Sequence, residues 1–242
     1  MLTNSQAIVL HTFKYGESKL IVDLFTRQSG RLSFIVGLPK TQKGRLKKQF
    51  FQSLSLLEAE YDERPKVQLQ KLKDVRLSLP FVSIPYDASK LSISLFLAEF
   101  LYHALKGEQQ NQPLFDYVWY SIAWLDGRTD SVANFHLVFL MHMSRFLGFF
   151  PNLENFREGC YFDLRAATFC AEVPVHRDFL LPEEASRVEM LMRMDYPTMH
   201  LFRMSRRDRR RLLEVALLYY RLHLPDFPEL KSLAVLEEVF NE

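Results

Sequence analysis

Cysteine is scarce in this sequence, with two residues, Cys160 and Cys170, among 242. Two cysteines cannot build a disulfide framework, and nine residues separate them, whereas zinc sites usually use close pairs. His176, the nearest histidine, does not complete a set of four ligands. We therefore expect each cysteine to be a buried structural thiol, and we expect no metal ion and no other cofactor.

Long apolar runs and targeting signals are also missing. No unbroken apolar stretch approaches the roughly 18 residues needed to span a bilayer. The first residues, Met1 to Gln6, lack the basic start and apolar run of a signal peptide. Apolar residues nevertheless make up 48% of the chain, which is enough for a packed core. We expect a folded, soluble protein of the cytoplasm that does not contact a membrane.

The usual sequence motifs of catalysis are absent. The sequence contains no Gly-x-Ser-x-Gly, no Gly-rich phosphate loop ending in Lys-Ser/Thr, and no His-Glu-x-x-His. His136 and His142 do not have the i,i+4 spacing of zinc-binding helices, so we expect packing or surface residues. The sequence predicts no enzyme, and a metal-dependent nuclease is retained only as a hypothesis to be tested.

Charge is unevenly distributed along the chain. Residues 1–80 carry 14 Lys and Arg against 7 Asp and Glu, and residues 81–242 carry 17 against 22. The formal net charge of the whole chain is only +2, which by itself predicts no partner. An excess of positive charge confined to the first part suggests that this part meets a polyanion.

Residues 1–80 have the pattern of a small β-barrel. Turn signals such as Gly16 and Ser29-Gly30 separate five apolar runs. The runs cover residues 6–14, 19–27, 31–38, 51–61 and 66–76. Five short strands with long loops favour an OB-type barrel, a fold that commonly binds single-stranded nucleic acid. We predict an OB-fold nucleic-acid-binding domain over residues 1–80.

The sequence changes character after Pro80 and Pro85, which are typical of a linker. Residues 81–242 predict a mainly α-helical domain with an irregular insert near 149–181 that includes a hairpin at 160–172. The predicted helices are 87–106 with Asp87 as N-cap, 113–126, a third from Ser131 to Gly148, one from Pro182, 206–223 with Ser205 as N-cap, and 231–240. The chain is therefore predicted to be a multi-domain α+β protein, an OB-fold barrel followed by helices.

A basic loop is expected between the third and fourth strands, with five cations and no acidic residue in Lys40–Lys48. The cations are Lys40, Lys43, Arg45, Lys47 and Lys48. A solvated loop and a nucleic-acid contact both fit this segment, and the basic character of the whole barrel supports the second. Lys14 and Arg31 are candidates to extend the DNA-binding surface. One of Phe50 and Phe51 is expected in the core.

A second group of cations, the arginine cluster, opens the helix predicted at 206–223. The cluster consists of Arg206, Arg207, Arg209, Arg210 and Arg211. Cations at a helix N-terminus oppose the helix dipole, so helix propensity does not account for them. Two interpretations remain: ion pairs with nearby acidic residues, which we favour, or contact with phosphate or an acidic partner. The candidate ion-pair partners are Glu183, Glu184, Glu189 and Glu214.

Several short motifs occur in a fixed order along the chain. They are Tyr15-Gly16-Glu17-Ser18, Leu24-Phe25-Thr26, Gly30-Arg31-Leu32, Val36-Gly37, Asn134-Phe135-His136-Leu137, Leu147-Gly148-Phe149-Phe150-Pro151 and Leu230-Lys231-Ser232. The first four resemble the N-terminal pattern of the bacterial RecO family of recombination mediators. The next two resemble the central helix of that family and its Leu-Gly-x-x-Pro exit, and the last resembles its Leu-Lys-Ser ending.

The resemblance implies a non-enzymatic DNA repair protein with an N-terminal OB barrel and a helical C-terminal domain. Members bind single- and double-stranded DNA, anneal complementary strands and engage the acidic C-terminal tail of single-strand binding protein. With RecR they help to load the recombinase RecA in the RecFOR pathway, which implies a nucleoid-associated protein. The alternative is a helical adaptor whose barrel is only a scaffold and has no direct role with DNA.

The sequence departs from the family in two places. Many members carry a four-cysteine zinc module after the central helix, and the two cysteines here imply a zinc-free version. Some members have Arg before the first Phe of the central helix, where this sequence has Asn134. Arg145, on the same helix, is considered as a substitute for that arginine in binding the tail.

Overall fold

Two compact units make up the chain. A computed structural model describes residues 2–37, 48–64, 67–130 and 132–239. The first unit combines Met1–Arg128 with Leu230–Val239, and the second covers Thr129–Glu229. The strands are β1 Leu2–Tyr15, β2 Lys19–Thr26, β3 Gly30–Gly37, β4 Leu56–Asp62, β5 Leu69–Leu79, β6 Tyr161–Asp163, β7 Thr168–Cys170 and β8 Phe179–Leu180. The helices are α1 Ala88–Ala104, α2 Gln112–Gly127, α3 Phe135–Phe146, α4 Pro182–Arg193, α5 Arg206–His223 and α6 Ser232–Val239.

The first five strands close into a barrel in the order β1-β2-β3-β5-β4, in which β3 and β5 pair in parallel. The five predicted strands are thus confirmed, with two changes at their ends. β1 begins at Leu2 because its polar first residues pair with β4. Residues 51–55 were predicted as strand and are not, and β4 begins only at Leu56. The reason is a left-handed backbone at Leu54, whose φ of 61° is incompatible with an extended strand.

Alternate side chains from the strands fill the barrel. The core consists of Ala7, Val9, Leu20, Val22, Leu24, Phe34, Val36, Phe51, Leu57, Ala59, Tyr61 and Val75. Phe51 is 4% exposed in this core and Phe50 packs partly against it, which confirms the expectation that one of the pair is buried. Each large apolar side chain buried in this way contributes roughly 1.5–3 kcal/mol.

Helices α1 and α2 belong to the same compact unit as the barrel. The Asp87 side chain accepts a hydrogen bond from the Lys90 backbone N–H at 3.0 Å, which confirms the predicted N-cap of α1. The first compact unit continues to Arg128, so it contains these two helices as well as the predicted domain 1–80. The predicted domain boundary at residue 80 stays a prediction.

The predicted linker at 80–85 is part of the packed first unit. The Asp126 carboxylate of α2 accepts hydrogen bonds from the backbone N–H groups of Val82, Ser83 and Ile84, each at 2.9 Å. Burial alone would raise the pKa of Asp126, but these hydrogen bonds outweigh it and hold the pKa below its usual value. The segment is therefore fixed to α2 and is not a free linker.

The last helix, α6, returns the chain to the first unit. Glu99 of α1 accepts hydrogen bonds from the backbone N–H groups of Lys231 at 3.0 Å and of Ser232 at 2.7 Å. The Ser232 hydroxyl donates to the same carboxylate. Burial would raise the pKa of Glu99, but the bonds from Ser232 and Lys231 hold it below its usual value. The second unit is thus inserted, in sequence, between two parts of the first.

The second unit contains α3, α4, α5 and a small sheet of order β7-β6-β8. The hairpin predicted at 160–172 is confirmed, because Tyr161 pairs with Cys170 in an antiparallel ladder. The predicted bounds of α5 are confirmed, and the Ser205 hydroxyl caps it by accepting from the Asp208 N–H at 3.1 Å. Ser131, predicted to begin the third helix, lies outside the described residues.

Both cysteines are free thiols. Cys160 is buried as predicted, but Cys170 is only half-buried. The alternation of the strand explains the difference, because Phe169 takes the buried position next to Cys170. Across the described ranges, no group of three or more His, Cys, Asp or Glu could hold a metal ion. None of the helices described is long and apolar enough to cross a membrane.

Candidate nucleic-acid interface

A bulge in β1 decides which of its side chains face outward. Ala7 and Val9 face the core, but the register of β1 against β2 shifts between Val9 and His11. One extra residue reverses the alternation of inward and outward side chains. Phe13 and Tyr15 consequently remain 43% and 53% exposed. Sequence did not indicate these two residues, because an unbroken alternation from Ala7 assigns both to the core.

Lysines flank the two exposed rings. Tyr15 pairs across the strands with Lys19, and Ile35 on β3 pairs with Lys71 on β5. Lys14, Lys19 and Lys71 are all exposed, and they make no ion pair within the part of the chain that the structure describes. Lys19 and Lys71 lie on the same side of the sheet as the rings, whereas Lys14 pairs with Leu20 of the core and lies on the other side. We call these three residues the lysine face. Their charges are available to an external anion, and Lys14 is one of the residues predicted from sequence.

The basic loop falls mostly outside the described residues. Four of its five cations lie there, namely Lys40, Lys43, Arg45 and Lys47. Lys48 is described and is exposed. Gly37, the last described residue before the loop, pairs with Lys19 of the lysine face. The chain therefore leaves β3 next to the lysine face.

Arg31 has a structural contact that sequence did not predict. Its guanidinium lies 4.4 Å from the centre of the Tyr102 ring and donates to the Tyr102 carbonyl, and its backbone N–H donates to Glu108 O at 3.0 Å. The preceding Gly30 has a φ of +71°, and an added Cβ would lie 2.5 Å from the backbone of Glu108 and Gln109. Arg31 therefore joins the barrel to α1, and its predicted contact with DNA stays a prediction.

Two members of the arginine cluster are held by ion pairs. Arg211 lies 2.6 Å from the Glu184 carboxylate, and Arg210 lies 3.2 Å from that of Glu214. These contacts confirm the predicted pairing for two of the four candidate partners. The Arg211 guanidinium, by hydrogen bonding, holds the pKa of Glu184 below its usual value. Arg206 and Arg207 are exposed at the start of α5.

Arg209 is hydrogen-bonded to Asn134, and both residues line a pocket of about 230 Å³. Its Nε donates to Asn134 Oδ1 at 3.1 Å, and the Asn134 amide donates to the carbonyls of Met199 at 3.0 Å and Phe202 at 2.9 Å. Burial, together with Arg206 nearby, lowers the pKa of Arg209. The pocket, which we call the arginine pocket, is lined by Ala133, Asn134, Met199, His200, Phe202, Arg203, Met204 and Arg209.

Arg145 lies near the other end of α3 from Asn134. It is exposed, and its guanidinium stacks 4.3 Å from the centre of the Phe150 ring. The guanidinium beside Asn134 thus comes from Arg209 on α5, a pairing across 75 residues that no local pattern reveals. His136 is buried, and burial lowers its pKa to about 3, which confirms it as a neutral packing residue.

The barrel and the helices define the class of protein. A closed five-stranded barrel of this strand order, followed by a helical region, is an OB-fold protein with a helical extension. A family model described as Recombination protein O N terminal matches residues 1–81, and one described as Recombination protein O C terminal matches residues 85–234. The chain therefore belongs to the RecO family of DNA repair and recombination proteins.

Individual relatives agree with the family models over complete chains. The DNA repair protein RecO of Phocaeicola vulgatus is 54% identical over 100% of both chains. The proteins of the same name from Bacteroides fragilis and Porphyromonas gingivalis are 51% and 34% identical, again over 100% of each chain. The family resemblance and the predicted fold class are confirmed, and membership supports a role in DNA repair.

Proposed function

We propose that the protein is a non-enzymatic recombination mediator that binds single- and double-stranded DNA and anneals complementary strands. The observation that carries the proposal is the lysine face, three exposed cations on an OB barrel that make no ion pair among the described residues. Membership of the RecO family supports the role in DNA repair. The basic loop, which begins three residues after Gly37, adds five cations to this part of the sequence.

The mechanism that we propose is electrostatic. Lysines that contact phosphates release condensed counterions, so affinity falls steeply as salt rises. The proposed DNA contacts are Lys14, Lys19, Lys71, Lys48 and, in the basic loop, Lys40, Lys43, Arg45 and Lys47. Arg31 supports this surface from its place against Tyr102. A cationic surface that holds two strands reduces their mutual repulsion, and annealing then needs no covalent step.

The arginine pocket supports the second part of the proposal, contact with the tail of single-strand binding protein. Arg203 and Arg209 supply cations, and Met199 and Phe202 supply apolar surface. An acidic peptide with an apolar side chain matches this combination, because guanidinium groups bind carboxylates in a bidentate manner. Within this proposal Arg209, and not Arg145, takes the place of the arginine that some family members have at the position of Asn134.

The two surfaces together suit a mediator. Binding the tail brings the protein to DNA that is already coated, and the barrel then holds the strand as it is released. RecR is the proposed partner in the following step, in which RecA is loaded in the RecFOR pathway. No covalent chemistry enters any of these steps.

The decisive experiment is a titration of labelled single-stranded DNA at several salt concentrations, with and without single-strand binding protein. We expect the dissociation constant to rise log-linearly with salt. Neutralising Lys40, Lys43, Arg45, Lys47 and Lys48 together should weaken binding and leave folding intact. A parent protein that fails to bind DNA at low salt would support the adaptor alternative, and DNA cleavage in Mg²⁺ or Mn²⁺ would contradict the non-enzymatic role.

A further inference from the structure

Two aromatic rings on the outside of the barrel have no place in the core. Phe13 and Tyr15 project from the same side of β1, with exposed fractions of 43% and 53%. Their cross-strand partners are Ile21 and Lys19. A sheet gains little stability from large rings in water, since apolar surface stabilises a fold only when it is buried. The rings are therefore available to a ligand.

From this geometry we infer that Phe13 and Tyr15, here named the aromatic platform, stack on two bases of an unpaired DNA strand. The inference rests on the proposed function and assigns a strand preference to it. Aromatic side chains stack on bases of any sequence because every base has a π-face. A duplex offers no such faces, because its bases are already stacked on one another.

The spacing of the platform fits an extended strand. Residues i and i+2 of a β-strand lie about 6.6–6.8 Å apart. Successive bases in a stacked strand are only about 3.4 Å apart along the axis. Two neighbouring bases can therefore occupy both rings only when the backbone between them is stretched and their mutual stacking is lost. This requirement favours single strands over duplexes.

The charges around the rings identify DNA as the occupant. Lys19 is exposed and is the cross-strand neighbour of Tyr15, so it lies on the same side of the sheet as the rings. From Phe13 the cross-strand pairs continue through Ile21 on β2 and Ile35 on β3 to the exposed Lys71 on β5. Cations beside exposed rings match the phosphates and bases of a single strand, whereas an apolar protein surface would offer these two lysines no opposite charge.

The platform ends at His11. The His11 ring packs against Phe13 at 5.7 Å and against Tyr102 of α1 at 4.8 Å, measured between ring centres. Arg31 covers the Tyr102 ring. These contacts connect the end of the row of rings to α1, while the His11 side chain itself remains 47% exposed.

The test compares a double variant, Phe13→Ala with Tyr15→Ala, with a matched control, Tyr86→Ala with Tyr120→Ala. The control tyrosines are 86% and 69% exposed in the same unit and lie outside the platform. Fluorescence anisotropy measures the binding of single-stranded DNA, of the same strand with abasic sites, and of duplex. Thermal unfolding establishes that all variants are folded, and a Phe13→Leu, Tyr15→Leu variant keeps apolar surface without planar rings.

We expect the double variant to bind single-stranded DNA about tenfold or more weakly, while duplex binding changes less than about twofold. The parent should prefer the normal strand to the abasic strand, and the double variant should lose that preference. The leucine variant should behave like the alanine variant, and the control like the parent. The slope of affinity against salt should not change, because no phosphate contact has been removed.

Other outcomes separate this inference from the proposed function. If the double variant binds single-stranded DNA as tightly as the parent, or keeps the preference over the abasic strand, stacking is overturned while DNA binding stands. If the leucine variant binds like the parent, the face is an apolar contact and not a stacking surface. If the double variant only turns a dimer into a monomer in sedimentation, the rings serve contact between copies. If the parent binds no DNA, the proposed function fails first.

Discussion

The lysine face and the arginine cluster have the same sign of charge but different surroundings. The three lysines lie exposed on the barrel and have no ion pair among the described residues. In the cluster, Arg211 and Arg210 are paired with Glu184 and Glu214, and Arg209 is hydrogen-bonded to Asn134. The sign of the charges alone does not distinguish the two regions. Their contacts do, because the lysines are exposed to solvent, whereas three of the five arginines form ion pairs or hydrogen bonds within their own unit.

The largest expected effect comes from removing the charges of the lysine face. Changing Lys14, Lys19 and Lys71 together to Gln should weaken oligonucleotide binding by about 10- to 100-fold at low salt. The salt slope should fall by about 0.7–0.9 for each lost phosphate contact. Fluorescence anisotropy across a salt series measures both quantities. Lys231→Gln, which changes an exposed lysine directly before α6, is the control and should bind like the parent.

The next largest effect should be a loss of folding stability when the contact of Arg209 in the arginine cluster is removed. Asn134→Ala removes the amide that donates hydrogen bonds to two backbone carbonyls and accepts one from Arg209. It should therefore lower the free energy of unfolding by about 1–3 kcal/mol. Urea denaturation measures the loss. Asn155→Ala, at an exposed asparagine of the same unit, should change it by less than about 0.5 kcal/mol. Equal losses in both variants would mean that the buried network adds nothing.

A smaller effect is expected at the ion pair of Arg211. Arg211→Gln should cost up to about 1 kcal/mol at neutral pH, because the pair is partly exposed. The pKa of Glu184 is lowered in the folded state, so its stabilisation is present above the usual Glu pKa of about 4.3 and is lost as pH falls through the folded-state value. The difference between parent and variant should therefore shrink in acid, as measured by denaturation at several pH values. A constant difference would show that packing, and not charge, is responsible.

The smallest expected effect is at Arg207, which is exposed in the first turn of α5. Arg207→Gln removes a cation from a helix N-terminus and should raise stability by about 0.3 kcal/mol. Oligonucleotide affinity should stay within about twofold of the parent, as measured by the same anisotropy titration. A clear loss of affinity would instead make the arginine cluster a second phosphate contact and would remove the contrast between the two regions.

Sequence predicted the elements well where a local pattern specifies them. The alternation of Leu20, Val22 and Leu24 fits a strand with one buried side, and that is how β2 lies. The caps at Asp87 and Ser205 were identified because a short polar side chain at a helix start satisfies a free N–H. The pairing of Arg211 with Glu184 was one of several choices that spacing left open.

Two kinds of feature could not be predicted from the sequence: a bulge of one extra residue, and contacts between residues that are far apart in the chain. The bulge near His11 changes the side on which Phe13 and Tyr15 lie, and no periodic pattern marks it. Asn134 and Arg209 meet only after folding, from two helices. Asp126 of α2 also meets its partners only after folding, since its carboxylate accepts hydrogen bonds from the three successive backbone N–H groups of residues 82–84.

The return of the chain to its first unit also orders events during synthesis. The five barrel strands are complete by Leu79, so they leave the ribosome early, but α6 follows the whole of the second unit. Domains generally fold from the N-terminus as the chain emerges. Glu99 therefore has no access to Lys231 and Ser232 until the whole second unit has been synthesised. A chain cut short before Leu230 would contain all five barrel strands but lack the residues that pair with Glu99, so this contact is the last in the first unit to become possible.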